Sequence, residues 1–404
     1  MKRIIIFAIF LSFLSMNTNA RVKFTPVADI SLTGGQYFLM DEPSSFGGNS
    51  SVYFSPVVGF SEKNYLIPVI NLNYTGTRDV QELVDGDALT RESVDYGIIL
   101  KYMYNSPVKA TLRTGYKKFL ISETKDENFG QGLFDYNRKL IGLELEKKIF
   151  GYNIGLTGDY YTINFVNYAS LVSQEEYKDS LDTQTYTEIS ENSGENVLDY
   201  SDVRIGIKAQ DKKRDMLTLE YFYSIDFRSF LDQSTVQNDG SFSADLRKDI
   251  INTIGAGINY NLKRTVLGLK GQTGIVNSNQ NSFDENAAKF INDYYSYYNI
   301  ELFPSIAFLL GNKEKLYNLK FWWSVEYRRY NNRPAQDDEG DYLDEKVVNM
   351  DNSWGLYFGY PVAKNITASL SANRRTAQST MKYEANYKYN YTVTNYYAGF
   401  NWQY

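Results

Sequence analysis

Three features of the 404-residue sequence predict an all-β fold, a transmembrane antiparallel up-and-down β-barrel. Apolar and polar residues alternate with period two, the alternating segments are long, and the connections between them are short and long in turn. Aromatic residues make up 16% of the chain although its mean hydropathy is −0.43. A barrel accounts for both values, because its apolar side chains face lipid while its polar side chains face the interior and the loops.

Residues 1–20 have the composition of a secretory signal peptide. Two basic residues are followed by an apolar run over 4–14, and small residues precede a cleavage site near Ala20. The alternative is an N-terminal membrane anchor, but the run is shorter than the roughly 20 residues that a spanning helix needs. We therefore expect a signal peptide in 1–20 and a single transmembrane barrel with long external loops in 21–404.

The period-two alternation identifies the strands. Over 202–210, Val203, Ile205 and Ile207 alternate with charged and small residues, so one face of the strand is apolar and the other polar. Such segments have about 10–14 residues, whereas strands of soluble proteins have about 5–6. The predicted strands, about sixteen in number with 14–18 possible, span 27–39, 51–61, 65–76, 92–104, 108–121, 134–148, 151–163, 198–210, 215–229, 248–260, 264–277, 293–310, 316–330, 347–361, 365–376 and 390–404.

The connections between these strands alternate between tight turns and polar stretches. Short turns on one side and long loops on the other are the layout of bacterial outer-membrane barrels. Aromatic residues also cluster at strand ends, as expected for rings at the two membrane interfaces. The long connections are predicted at 40–50, 77–91, 122–133, 164–197, 230–247, 278–292, 331–346 and 377–389.

The last strand also has a pattern typical of outer-membrane barrels. Tyr396, Phe400, Trp402 and Tyr404 share one apolar face, and the chain ends on an aromatic residue. This strand resembles the assembly signal that the barrel-insertion machinery reads in outer-membrane proteins. In layout the chain resembles the sixteen-stranded porins of Gram-negative-type bacteria. The resemblance implies an outer-membrane location, contact with its lipids and a possible homotrimer.

The porin resemblance also directs attention to the loops. In general porins the third long loop narrows the lumen, but here that loop, 122–133, is short. The longest loop, 164–197, is the better candidate for a segment that folds inward. Several long loops are rich in carboxylates, and we interpret them as a solvated acidic rim rather than as a metal site.

The polar strand faces supply the candidate site. If the apolar faces meet lipid, the polar faces line an interior wide enough for water. Their charges either set the preference of a pore for ions or pair along the wall and only stabilise the barrel. The predicted pore-lining residues are Lys101, Lys109, Arg113, Lys117, Glu144, Arg204, Lys208, Glu220, Arg228, Lys320, Glu326 and Arg328; the same face holds Asp95, Arg138, Glu146, Asp159, Asp226, Lys270 and Glu301.

The composition excludes several other functions. The chain has no His and no Cys, so it cannot carry a Ser-His-Asp triad, a histidine-based zinc site or a thiolate nucleophile. A net charge of −6 argues against nucleic acid as a partner. We expect no catalysis, no cofactor and no metal, and a channel for passive diffusion of small hydrophilic solutes or ions. The alternatives are a substrate-selective outer-membrane transporter and a structural or surface-interaction barrel with a blocked lumen.

Overall fold

The computed structural model describes residues 22–40, 42–82, 87–124, 127–168, 196–213, 216–284, 287–312, 315–384 and 387–404. The predicted signal peptide and most of the loop 164–197 lie outside these residues. Within them the chain is all-β, and no helix is long and apolar enough to cross a membrane.

Sixteen long strands form the wall of the molecule. Their bounds are β1 Ala28–Leu39, β2 Ser45–Phe54 and, after a break, Val57–Gly59, β3 Asn64–Gly76, β4 Glu92–Tyr104, β5 Lys109–Ser122, β6 Tyr136–Ile149, β7 Tyr152–Phe165, β8 Tyr200–Lys213, β9 Leu217–Val236, β10 Phe242–Leu262, β11 Thr265–Ser278, β12 Tyr297–Gly311, β13 Leu316–Gln336, β14 Tyr342–Ala363, β15 Ile366–Ser379 and β16 Tyr391–Gln403.

Every wall strand pairs antiparallel with its neighbours in chain order, and β1 also pairs with β16. Asp29 lies opposite Gln403 in this last ladder. Ala28 and Tyr404 exchange two backbone hydrogen bonds of 2.9 Å. The ladder closes the sheet on itself and removes its free edges. The predicted fold class, strand number and porin-like layout are therefore confirmed.

Three predicted loops are shorter than the sequence suggested. Strand β2 begins at Ser45, inside the predicted loop 40–50. Strands β9 and β10 continue through most of 230–247, and β13 and β14 through most of 331–346, leaving connections at 237–241 and 337–341. The registers shift in both extensions, between Ser229 and Ser234 in β9 for example. Irregular pairing beyond the lipid breaks the apolar–polar alternation, so the pattern gave no sign of these strand ends.

The outward face of the barrel is apolar. Large side chains such as Leu32, Ile205 and Leu370 are more than half exposed, as expected for groups that face lipid. The polar ends of several outward rings are satisfied by asparagines on the neighbouring strand. Tyr116 Oη donates to Asn137 Oδ1 at 2.8 Å, and a similar bond joins Tyr223 to Asn252, while Trp323 donates to Asn352. These bonds satisfy the polar atoms of rings that lie on the outward, apolar face.

Candidate pore lining

The predicted pore-lining residues lie on the polar face of their strands, opposite the exposed apolar side chains. On β8, for example, Arg204 and Lys208 alternate with Val203, Ile205 and Ile207, which are 41–53% exposed. Because the barrel is closed, the apolar face points outward and the polar face encloses the interior. That these residues line a conducting pore stays a prediction.

Most of the predicted charges form ion pairs along the wall. The two partners come from different strands in every pair except one, in which both residues lie on β13. The pairs are Lys109 with Glu146, Arg113 with Asp159, Lys117 with Asp95, Arg204 with Asp226, Lys208 with Glu144 and Glu146, Arg228 with Asp202, and Arg328 with Glu326. Pairing along the wall, one of the two interpretations of the sequence, is therefore the rule for these residues.

Some of these pairs reach across an intervening strand, and glycine makes this possible. Arg113 on β5 and Asp159 on β7 both lie opposite Gly142 of β6. Two hydrogen bonds of 2.9 and 2.7 Å join the guanidinium to the carboxylate above the glycine. A Cβ at Gly142 would lie 1.8 Å from Asp159 Oδ1. The bidentate pair therefore requires glycine at that position.

A second glycine is bridged in the same way. Glu146 on β6 and Lys208 on β8 both lie opposite Gly155 of β7, and their charged groups meet at 2.9 Å. A Cβ at Gly155 would lie 2.6 Å from Lys208 Cε. Lys208 and Lys109 thus share one carboxylate, which links four strands of the wall.

Three predicted residues have no partner. Lys101, Glu220 and Lys320 take part in no ion pair or hydrogen bond among the residues that the structure describes. Lys101 lies opposite Arg113, a residue of like charge. Glu220 lies opposite Gly257, beyond which is Lys270, also without a partner in the described chain. Within the described residues, these positions therefore carry wall charges that no ion pair neutralises.

Arginine side chains stack on aromatic rings towards the long-loop end of the barrel. Such contacts hold the guanidinium flat and restrict its motion. The distances from the guanidinium carbon to the ring centroid are 4.5 Å for Arg138 on Tyr161, 4.5 Å for Arg228 on Tyr200, 4.4 and 4.2 Å for Arg247 on Phe230 and Tyr295, and 4.8 Å for Arg328 on Tyr297. Arg247 is not among the predicted pore-lining residues, because it lies in the predicted loop 230–247.

A loop segment packs against the inner wall at one side of the mouth. The connection 77–91 forms a hairpin of Asp79–Glu82 and Asp87–Thr90. Val80 is 1% exposed and packs with inward side chains of the wall, Leu39 and Val393 among them. The paired segments Asp79–Glu82 and Asp87–Thr90, here called the lumen hairpin, are therefore placed against the inner wall by Val80. The connection 77–91 was not predicted to fold inward. The loop that was predicted to do so, 164–197, lies mostly outside the described residues.

Arg375 on β15 anchors the lumen hairpin. Its Nη1 donates to the carbonyl oxygen of Val80 at 3.1 Å, its Nε pairs with the carboxylate of Asp351, and its guanidinium lies 5.2 Å from the ring of Tyr391. The alternation of β15 could have identified Arg375 as an inward residue, since Ser369, Ser371 and Asn373 precede it on the same face. Nothing local indicates that its partner is a loop 295 residues away in the sequence.

Two further segments cover the inner wall near the mouth. Val197 and Leu198 are buried against Tyr161 and Phe165 of β7. Met381 and its neighbours are buried against β13 and β14. The long-loop end of the lumen is thus narrowed by apolar packing from several sides, whereas the middle of the wall remains charged.

Comparisons with known proteins give a fold-level likeness only. No family model and no curated protein sequence matches the chain. Among solved structures, in-vitro folded OmpT, an outer membrane protein of Vibrio cholerae, is 9% identical with a TM-score of 0.48, covering 96% of this chain and 99% of that one. A bacterial polysaccharide outer membrane secretin is 7% identical (TM-score 0.44, 94% and 98% covered). A mutant porin of Rh. blastica is 11% identical (TM-score 0.38, 95% and 100% covered). Similarities at this level assign no function.

Proposed function

We propose that the chain is an outer-membrane channel through which small hydrophilic solutes or ions diffuse passively. The supporting observation is the solvent exposure of charged groups inside the closed wall. The side chains of Lys109, Arg204 and Lys208 are 38, 43 and 44% exposed although each forms an ion pair. A charged group of this kind costs too much free energy to face a dry cavity, so the interior holds water.

The near balance of signs along the wall bears on selectivity. Paired charges cancel much of each other's field at a distance, so the wall alone gives weak preference for one ion sign. The lumen hairpin, held by Arg375 and by the packing of Val80, is proposed to set the narrowest passage. The second long connection, 77–91, would thus narrow the lumen of this channel, as the third long loop does in general porins.

A barrel with a blocked lumen is the second candidate. It is favoured by the apolar segments that pack against the wall near the mouth, at Val80, Val197 and Met381. The third candidate is a substrate-selective transporter, in which free wall charges would bind a solute. Catalysis is not proposed, because the chain has neither His nor Cys for the chemistry that such residues supply. No cofactor, metal or nucleic acid is proposed as a partner.

Location and assembly follow from the same proposal. The chain is proposed to enter the outer membrane of a Gram-negative-type bacterium after signal-peptide cleavage near Ala20. Outer-membrane lipids contact its apolar face, and the insertion machinery reads the strand that ends at Tyr404. A homotrimer is proposed from the porin resemblance alone.

The deciding experiment is reconstitution in a planar lipid bilayer. Protein whose migration on gels changes on heating, as expected for a folded barrel, should give stepwise current increments of porin size. Solutes of increasing size added to the bath should then reduce the current until they no longer enter. Absence of any steps from heat-modifiable protein would reject the channel and favour the blocked barrel.

A further inference from the structure

One part of the inner wall departs from the pairing that governs the rest. Glu220 on β9 and Lys270 on β11 both lie opposite Gly257 of β10. The same arrangement, an acid and a base on either side of a glycine, forms an ion pair across Gly142 and another across Gly155. Here the two charges remain apart, and neither has a partner among the described residues.

The space between these charges is a recess in the wall of about 390 Å³. Gly257 forms its floor, and a Cβ there would lie 3.5 Å from Lys270 and 3.8 Å from Glu220. The two side chains therefore stand on either side of an open floor. Strands two apart in a sheet are separated by roughly 9.6 Å, from a spacing of about 4.8 Å.

Aromatic rings give the recess an apolar side. The ring of Phe222 lies over Gly255, where a Cβ would be 2.4 Å from the ring, and Phe303 lies next to Lys270 on the neighbouring strand. The ring of Trp322 stacks on Phe303 with centroids 5.8 Å apart and an interplanar angle of 16°. Stacking and the glycine contact fix both phenylalanine rings against the wall, so they present a preformed apolar surface.

We propose that this recess binds a small zwitterion, an amino acid or short peptide with an apolar side chain, during its passage through the channel. Glu220 would accept hydrogen bonds from the ammonium group, Lys270 would donate to the carboxylate, and the side chain would lie against Phe222 and Phe303. The length needed is that of two charge-assisted hydrogen bonds of about 2.8 Å each, plus the few ångströms between the ammonium and carboxylate groups of the solute. This sum is close to the separation of β9 and β11. The proposal rests on the channel function, which lets a solute reach the site.

The other polar groups of the recess also favour a zwitterion as its ligand. Glu301 also lines it and accepts a hydrogen bond from Gln272 Nε2 at 2.6 Å, so its carboxylate is already partly occupied. An anion without an ammonium group would meet two carboxylates and one lysine. A cation without a carboxylate would leave Lys270 without a partner. A zwitterion satisfies both free charges at once.

Three probes with the same ring separate these possibilities: phenylalanine, phenethylamine, which lacks the carboxylate, and 3-phenylpropanoate, which lacks the ammonium group. Binding to the folded barrel in detergent micelles is measured by saturation-transfer NMR, which detects weak ligands. Phenylalanine should bind most tightly. Glu220→Gln should weaken phenylalanine and phenethylamine roughly fivefold, and Lys270→Gln should weaken phenylalanine and 3-phenylpropanoate roughly fivefold, as expected for the loss of one exposed ion pair.

Two further variants complete the test. Lys364→Gln removes an exposed lysine from the short turn between β14 and β15, away from the recess, and should leave all three affinities unchanged. The exchange of Glu220→Lys with Lys270→Glu keeps both charges and should retain phenylalanine binding. Equal binding of the three probes, tightest binding of phenethylamine, or no effect of either single substitution in heat-modifiable protein would overturn the zwitterion site.

The two proposals fail separately. Binding in micelles without conductance in bilayers would reject the channel and keep the site. Conductance without phenylalanine binding would keep the channel and reject the site. If both hold, phenylalanine should reduce the current through the wild-type channel, and Lys270→Gln should weaken that block by the same factor as it weakens binding.

Discussion

The lumen hairpin offers a sharp test of how this barrel controls flow. Arg375→Gln removes the charged donor that Val80 accepts at 3.1 Å and the partner of Asp351. Hydrogen bonds to charged groups contribute about 1.5–3 kcal/mol, so the ratio of docked to undocked hairpin should fall roughly 10- to 100-fold. A looser hairpin would leave a wider and less steady passage.

A second substitution weakens docking without changing the charge of the lumen. Val80 is 1% exposed, and Val80→Ala removes two methyl groups from its contact with Leu39 and Val393. At about 0.8 kcal/mol for each buried group, docking should weaken by roughly 1.6 kcal/mol, or about tenfold. Agreement between the two variants would assign the effect to the hairpin rather than to the lost arginine charge.

Single-channel recording measures the result. Both variants should show higher mean conductance and larger current fluctuations than the wild type. Arg374→Gln is the matched control, because Arg374 neighbours Arg375 on the same strand but points outward. Since the chain has no Cys, Val80→Cys with Val393→Cys provides its only two thiols, and joining them with a short thiol-specific crosslinker should suppress the fluctuations. Unchanged conductance and noise in both loosened variants would refute the proposed constriction.

The docked hairpin should also respond to pH. Burial raises the pKa of Asp79 above its usual 3.8, against the opposing effects of the Val80 N–H group and of Arg375. The pKa of this carboxyl is higher in the docked hairpin than in the undocked one. The protonated carboxyl therefore stabilises docking at a pH below its undocked pKa, and this stabilisation is lost as the pH rises through the docked pKa. Acidification should therefore lower conductance. Asp79→Asn is neutral at every pH, so it should remove this part of the response; an identical pH profile in that variant would exclude Asp79 as the cause.

Three further predictions concern the wall and its assembly. Arg113→Glu should shift the reversal potential in a salt gradient towards cation preference, and no shift would place this residue outside the ion path. Gly355→Ala puts a Cβ 2.4 Å from the ring of Trp322 and should lower the urea-unfolding free energy by about 1–3 kcal/mol, whereas Gly158→Ala, with open space around the new Cβ, should not. Tyr404→Ala, which keeps both backbone hydrogen bonds to Ala28, should reduce the amount of barrel assembled in cells several-fold, yet leave refolding of the purified chain in detergent unchanged.

The strands could be predicted from sequence because their signal is local. An outward side chain must be apolar wherever lipid surrounds it, so period-two alternation persists through the membrane on β8 as on β13. The signal ends where the lipid ends. Beyond it β9 and β10 continue as a paired extension with shifted register, in which apolar and polar residues no longer alternate, and there the predicted loop 230–247 was wrong.

The inward faces were also predictable, but the partners of their residues were not. Alternation places Arg113 and Asp159 on one face without stating that the two meet. Their contact depends on strand register and on a glycine at 142 that leaves room between them. The free charges at Glu220 and Lys270 depend on register in the same way. Sequence alone therefore identified the candidate residues but not which of them are neutralised.

A glycine between two opposite charges allows two local arrangements of the wall. One stabilises the barrel, and the other leaves space for a ligand. Where the flanking groups meet over the glycine, as at Gly142, the pair closes the gap and stiffens three neighbouring strands. Where they stay apart, as at Gly257, the missing side chain becomes a recess with two charged sides. One short pattern, acid–glycine–base along the hydrogen-bonding direction, can therefore serve either as a brace or as a binding site. The phenylalanine rings beside Gly257 favour the second use, because they line the opening with apolar surface that an ion pair alone would not need.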